Sequence, residues 1–279
     1  MTAGRAGAND FVELQRVSVS LGTFVAIDAR LAGGSAQAQG ALDSAWEAFA
    51  RVDERMHPTR PGSDLRAIAD SRPGERVPVH PWTFATLTLA RQMWQDSNHL
   101  FDPCVPELAG RMGDIDLVAP YYVRRGSPPL ALDLGGIAKG FAIDRAIEAL
   151  QAARCTSGQV NAGGDVRHFG DEPGRIAIRI RGVLAGCIEL GNEALAISEP
   201  RSDLSPAEHR GFYSPLTAAA IEGRFVAIVA ASAAVADALT KCAIVCPASA
   251  LAGLLDAYGA RLVEESVLAE TLSPGTENL

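Results

Sequence analysis

The sequence has little that would tie it to a membrane, a disulfide framework or a nucleic acid. Its 279 residues contain five cysteines, Cys104, Cys155, Cys187, Cys242 and Cys246, an odd and scattered set that implies no disulfide scaffold. Cys242 and Cys246 are spaced to share a helix face, but no histidine or third cysteine lies nearby to complete a zinc site. They read as small buried hydrophobes. No apolar run reaches the roughly 18–20 residues that a spanning helix needs. The stretch from Met1 to Asp10 is small and polar, without the apolar centre of a signal peptide. A cytoplasmic location is therefore expected for the sequence as it stands, or a periplasmic one if a leader has been removed. Positive charge is short as well: 25 Lys and Arg against 33 Asp and Glu give a net charge of −8. That argues against bulk binding to nucleic acid or to an anionic membrane, while a local basic pocket stays open. The G-x-G-x-x-G fingerprint and the P-loop pattern are both missing.

What is present is an ordinary globular composition, 48% hydrophobic and 21% charged, long enough for one large domain or two intimate lobes. Residues 1–15 are expected to be a flexible N-terminal segment, 16–272 a single domain and 273–279 a tail. Val17, Val19 and Leu21, then Val25 and Ile27, alternate on either side of Gly22, as in a bulged strand or a hairpin. Ala36 to Met56 predicts an amphipathic helix with Leu42, Ala45, Trp46, Phe49 and Val52 on one face. Pro81 opens a second helix that runs to His99, and residues 104–129, rich in proline, are expected to be irregular. Leu130–Leu134 is a strand candidate, followed by a helix over Lys139–Ala153. Short strands follow at Gln159–Ala162, Asp165–Phe169, Arg175–Arg181, Leu184–Leu190, Ala194–Ser198 and Arg224–Ala231. Ser232 then caps a helix up to Cys246. A final helix near Leu251 and a strand at Leu262-Val263 close the chain. Helices mixed with meandering strands, without regular βαβ alternation, predict an α+β fold with mixed or antiparallel sheets flanked by helices.

Four stretches combine acid, glycine and turn character: Phe101-Asp102-Pro103, Asp133 to Gly140, Asn161 to Asp165, and Ala236 to Lys241. In the second, Leu132-Asp133-Leu134-Gly135-Gly136-Ile137-Ala138-Lys139-Gly140-Phe141, glycines without Cβ would let backbone approach a ligand. A helix starting there would aim free N–H groups at an anion such as phosphate. Each Gly-Gly alone is equally an ordinary turn. The second and third stretches lie one helix apart, a spacing that brings their turns into one neighbourhood.

Taken together and in order, these segments resemble the ApbE family, the FAD:protein FMN transferases formerly described as thiamine-biosynthesis lipoproteins. The resemblance runs from Gly22-Thr23 to about Val245. It is carried by Asp133 to Asp144, Val160-Asn161-Ala162-Gly163-Gly164-Asp165, Ala236-Asp237-Ala238-Leu239, Phe101-Asp102-Pro103 and Ser63-Asp64-Leu65. It implies an α+β, ApbE-like fold of two intimate lobes that binds FAD as substrate. It also implies transfer of FMN, in a Mg²⁺-dependent phosphoryl-transfer step, onto a threonine of an acceptor flavoprotein. Asp133, Lys139, Asp102 and Asn161 would contact FAD, while the Gly136 carbonyl and Asp237 would hold the metal, an oxygen set suited to Mg²⁺.

The sequence departs from the pattern on the catalytic side. The second metal residue of the family is a threonine four positions after the aspartate. Here Lys241 stands there, and Thr240, one residue early, is rotated by about 100° on a helix. Lys241 could set an ammonium where the metal would sit. The Thr-Ser-Gly loop of the family reads Ile197-Ser198-Glu199, and its histidine-bearing segment reads Gly211 to Ala218. The catalytic group is therefore open, with His209 and Lys241 as candidates. No flavin-stacking tyrosine lies between Met56 and Pro61, where His57 and Thr59 stand. Two readings follow: a transferase with a modified centre, or a catalytically degenerate flavin-binding or scaffolding protein on the same fold.

Overall fold

Alternation of apolar residues around Leu21-Gly22 resolves into a hairpin. In a computed structural model, which describes residues 11–32, 34–199, 212–213, 220–221 and 224–270, strands β1 (Phe11–Ser20) and β2 (Thr23–Ala32) pair antiparallel along their whole length. Leu21 and Gly22 both take positive φ, 50° and 73°, the turn whose twist suits a two-residue hairpin. β1 begins at Phe11, so residues 11–15, expected in a loose leader, are paired to β2.

The remaining elements follow in chain order. They are α1 (Ser35–Met56), α2 (Asp64–Asp70), β3 (Val77–Pro78), α3 (Pro81–Asp96), β4 (Ile115–Val118) and β5 (Tyr122–Arg125). Next come α4 (Ala138–Ala152), β6 (Cys155–Ala162), β7 (Asp165–Phe169), β8 (Gly174–Ile180), β9 (Val183–Leu190) and β10 (Ala194–Ser198). β11 (Phe212–Tyr213), β12 (Ala220–Ile221), β13 (Val226–Ala230), α5 (Ala233–Val245), α6 (Ala248–Ala257), β14 (Arg261–Leu262) and α7 (Glu265–Glu270) complete the chain. A seven-stranded antiparallel sheet, in the order β1-β2-β6-β7-β10-β13-β14, is the backbone of the molecule.

Helices α1, α4 and α5 pack on one face of this sheet, with Phe49, Val52, Ile143, Ile147 and Leu239 fully buried in the main core. On the other face the β8–β9 hairpin and Leu268 of α7 close a second core around Val166, Ile176, Ile178, Leu195 and Val229. β13 lies between the two, with Val226 and Ile228 in one core and Ala227 and Val229 in the other. That is why it reads as an unbroken apolar run. Toward the β1–β2 end this cover is missing, and Val17, Val19 and Phe24 stand 60%, 62% and 73% exposed.

Two expectations need correction. Residues 104–129 are not all irregular: β4 and β5 form a hairpin that β3 joins, anchored by fully buried Ile115 and Val123. Leu130–Leu134 is not a strand of any sheet. Its buried Leu130, Leu132 and Leu134 alternate as a strand would, but a single bridge from Leu132 to Cys104 is its ladder contact. Apolar alternation recorded burial there without a partner strand. Cys242 and Cys246 are buried thiols, as expected of them, Cys104 and Cys155 are buried as well, and Cys187 is half-buried.

Candidate functional site

Helices α4 and α5 set the site because they cross unusually closely. A Cβ added at Gly140 would lie 2.2 Å from the carbonyl oxygen of Ala233 and 2.7 Å from Cα of Ala234. Only glycine admits that approach. Buried Asp144, one turn further along α4, accepts hydrogen bonds from the N–H groups of Ala233 (2.9 Å) and Ala234 (3.0 Å), and from Arg167 Nη1 (2.6 Å). Asp144 therefore caps the start of α5 from a neighbouring helix, beside the Ser232 cap expected from sequence, whose Oγ accepts from Val235 N at 3.2 Å.

Below this crossing four charged side chains meet. Asp237 of α5 is fully buried; its Oδ1 accepts from Lys241 Nζ at 3.0 Å, while Oδ2 faces Lys139 Nζ and the Gly140 N–H, each at 3.4 Å. Lys139 also pairs with Asp165, the first residue of β7, whose other oxygen accepts from Ile197 N at 2.9 Å. Lys241 Nζ reaches Ser198 Oγ at 2.7 Å and Thr240 Oγ1 at 3.0 Å. Thr240 donates to the Asp237 carbonyl (2.7 Å), so the hydroxyl proton of Ser198 turns to Thr240 Oγ1, 2.8 Å away. The carboxylates are sealed in, while the lysine side chains retain 23% and 29% exposure.

Electrostatics follow from this packing. Burial pushes the Asp237 carboxyl up, but the ammoniums of Lys139 and Lys241, with the Lys241 and Gly140 hydrogen bonds, outweigh it and hold it below the usual carboxylate range. Burial holds Lys139 below the usual lysine range, and the charge of Lys241 adds to this while Asp237 opposes it.

Other expected residues are arranged nearby along the chain. Asp133 Oδ1 accepts from Gly135 N at 2.8 Å and shapes the turn into α4. Gly136 lies against the stem of Lys241, since a Cβ there would be 3.1 Å from Lys241 Cγ. Asn161 Oδ1 accepts from Gly164 N at 3.2 Å, within the β6–β7 turn where Gly163 and Gly164 take φ of 62° and 101°. That turn delivers Asp165 to Lys139. Asp102 is turned to its own loop, its carboxylate accepting from Cys104 N (2.9 Å) and Met112 N (3.3 Å). His57, at the place searched for a stacking tyrosine, accepts from the N–H groups of Thr59 and Arg60. His209 and most of the Gly211–Ala218 segment lie outside the described residues.

Asp165 and Ser198 were not singled out from sequence, although both sit in quoted motifs. The acid directly after Gly163-Gly164 was the available signal for Asp165. Nothing local marks Ser198, which comes from β10 and meets α5 only in space.

The family expectation of a divalent metal can be tested on these donors. Both oxygens of Asp237 face ammonium groups, and Thr240 is engaged by Lys241 and Ser198. Among the described residues no three His, Cys, Asp or Glu side chains group as metal ligands. Two unit charges 4 Å apart interact by about 4 kcal/mol near a protein surface, so a divalent ion beside Asp237 would be opposed strongly by both lysines. As arranged, the donor set fits an ammonium and not Mg²⁺.

Two lysines paired with two buried acids, beside a Gly-Gly turn and the start of a helix, form one compact charged cluster on an α+β scaffold. Residues 21–262 match the ApbE family, and the chain belongs to that family. A 174-residue stretch is 32% identical to an FAD:protein FMN transferase of Rhodobacter capsulatus, covering 52% of this chain and 33% of that protein. The match thus spans about a third of the length of this curated relative. The flavin transferase ApbE from Vibrio cholerae superimposes with a TM-score of 0.76 at 20% identity, over 91% of this chain and 93% of its own. The ApbE protein from Thermotoga maritima gives the same TM-score and coverage at 23% identity. These two likenesses establish the expected fold. No helix among the described residues is long and apolar enough to cross a membrane.

Proposed function

We propose that this chain binds FAD with its pyrophosphate toward Lys139 and Lys241, and transfers the FMN half to a hydroxyl of an acceptor flavoprotein, a threonine. The observation that carries this reading is the pair of lysines, their side chains partly exposed, held on Asp237 and Asp165 next to the Gly135-Gly136 turn. It is supported by membership of a family in which a curated relative is named for this transfer.

In the reaction, the acceptor hydroxyl oxygen forms a bond to the FMN-side phosphorus as the bridging P–O bond of the pyrophosphate breaks. AMP departs with the electron pair, and the hydroxyl proton passes to solvent. Such transfers are governed by positioning and by neutralising charge on the phosphoryl and leaving oxygens. Lys139 and Lys241 do both from fixed positions. Their paired carboxylates hold them in place. Asp133, Gly136 and Asn161 form the adjoining wall, in the role of nucleotide contacts.

The test incubates the chain with FAD and an acceptor flavoprotein domain, then resolves the products on a denaturing gel. Covalent flavin fluorescence on the acceptor, with AMP released in equal amount, is expected. Clear FAD binding by calorimetry without transfer would instead establish a degenerate flavin-binding or scaffolding protein. No binding would refute the flavin reading outright.

A further inference from the structure

We propose that Lys241 acts as a built-in cation in the place of a divalent metal, so that this centre binds its dinucleotide without one. The proposal rests on the flavin-nucleotide reading above and goes beyond it in the chemistry of charge neutralisation.

Three observations carry it. First, Lys241 Nζ lies 3.0 Å from Asp237 Oδ1, 2.7 Å from Ser198 Oγ and 3.0 Å from Thr240 Oγ1. An ammonium has three N–H donors, and these oxygens match them in number. Second, the separations are those of N–H···O hydrogen bonds, so the Lys241 ammonium itself fills the space between these oxygens. The hydroxyl protons of Thr240 and Ser198 are already directed elsewhere, to the Asp237 carbonyl and to Thr240, leaving lone pairs aimed at Lys241. This oxygen cage is sized and polarised for an ammonium. Third, the stem of Lys241 is accommodated by the absence of a side chain at Gly136, 3.1 Å from where a Cβ would stand. The lysine therefore passes directly beside the turn that approaches the ligand. With Lys139 on the opposite oxygen of Asp237, the two ammoniums share this one buried carboxylate between them.

The experiment has a binding arm and a metal arm. FAD affinity of the full chain is measured by calorimetry in EDTA and in Mg²⁺, and Mn²⁺ is titrated separately with its paramagnetic resonance signal as the readout. Wild type is expected to bind FAD equally in both buffers and to leave the Mn²⁺ signal unchanged. Lys241→Met, which keeps the stem and removes the charge, is expected to lose FAD affinity by about tenfold or more in EDTA. Lys241→Thr, which supplies a hydroxyl oxygen instead, is expected to capture Mn²⁺ and to recover FAD affinity when Mg²⁺ is added. Circular dichroism of each variant confirms that it is folded. Stoichiometric Mn²⁺ binding by wild type would overturn the proposal, as would tightening of wild-type FAD binding by about tenfold on adding Mg²⁺. Wild type that binds FAD only with Mg²⁺ would leave the flavin reading standing and the built-in cation refuted. Wild type that binds no FAD in either buffer would refute the flavin reading, and the Mn²⁺ titration still judges the cage.

Discussion

Replacing Gly140 by alanine should unfasten the crossing on which the charged centre depends. Alanine is the better helix former by about 0.8–1.0 kcal/mol, so propensity alone predicts stabilisation. Sterics predict the reverse. The new methyl would stand 2.2 Å from the Ala233 carbonyl oxygen and 2.5 Å from its carbon, more than about 1 Å inside ordinary contact. Those atoms are backbone at the capped start of α5 and cannot rotate away, so the helices must part. Overpacking of this kind costs about 1–3 kcal/mol, and with backbone on both sides the upper end applies. The net loss is then about 2 kcal/mol, or about 3–4 °C in melting temperature for a chain of this size. Gly40 in α1 is the control: it is exposed, with nothing within 4 Å of an added Cβ. Gly40→Ala should therefore gain about 0.5–1 kcal/mol. Melting curves and urea midpoints of the two variants settle the comparison. Gly140→Ala at or above wild-type stability would refute the account of why α4 and α5 lie so close.

Asp144→Asn removes the charge that ties α5 to Arg167 and turns an amide donor toward one of the two N–H groups it caps. A loss of about 2–4 kcal/mol is expected in urea unfolding. Asp237 titrates below its ordinary 3.8 when folded, so its ionised form contributes stability that is complete above 3.8 and is lost as pH falls through the lower folded value. Asp237→Asn, compared with wild type by urea unfolding from neutral to acid pH, should show a deficit that shrinks across that window. His80, whose Nδ1 accepts from Trp82 N at the start of α3, is held below 6.5 mainly by burial. Its neutral form contributes stability above 6.5 that declines as pH drops through its folded value, and His80→Asn, which keeps a capping acceptor, should flatten that decline in pH-dependent melts.

Much of the scaffold was legible because its signals are local. Helix α1 begins one residue before its expected start, at Ser35, since the apolar stripe from Leu42 to Val52 is long and regular. Pro81 and Ser232 mark helix starts by the chemistry of their own termini. The β6–β7 turn follows from two adjacent glycines that both need positive φ. What failed was information held by a partner. Leu130–Leu134 has the alternation of a strand but meets a short stretch around Cys104 in place of a full partner strand, and β4–β5 gains its order from buried Ile115 and Val123. At the site, the family resemblance points to Asp133, Lys139 and Asp237, and the partners of the last two are set only in space. Lys139 needed Asp165 from across the β6–β7 turn, and Lys241 needed Ser198 from β10. The cap that Asp144 provides for α5 was invisible, because the groups it satisfies lie far along the chain.

The fastening of α4 to α5 has a mechanical corollary. With backbone touching backbone at Gly140 and Asp144 bolting the head of α5, the two lysines ride on one solid jaw whose gap has no free adjustment. Damage at Gly140 or Asp144 would therefore travel to the centre as a misaligned jaw, felt by ligands that neither residue ever touches.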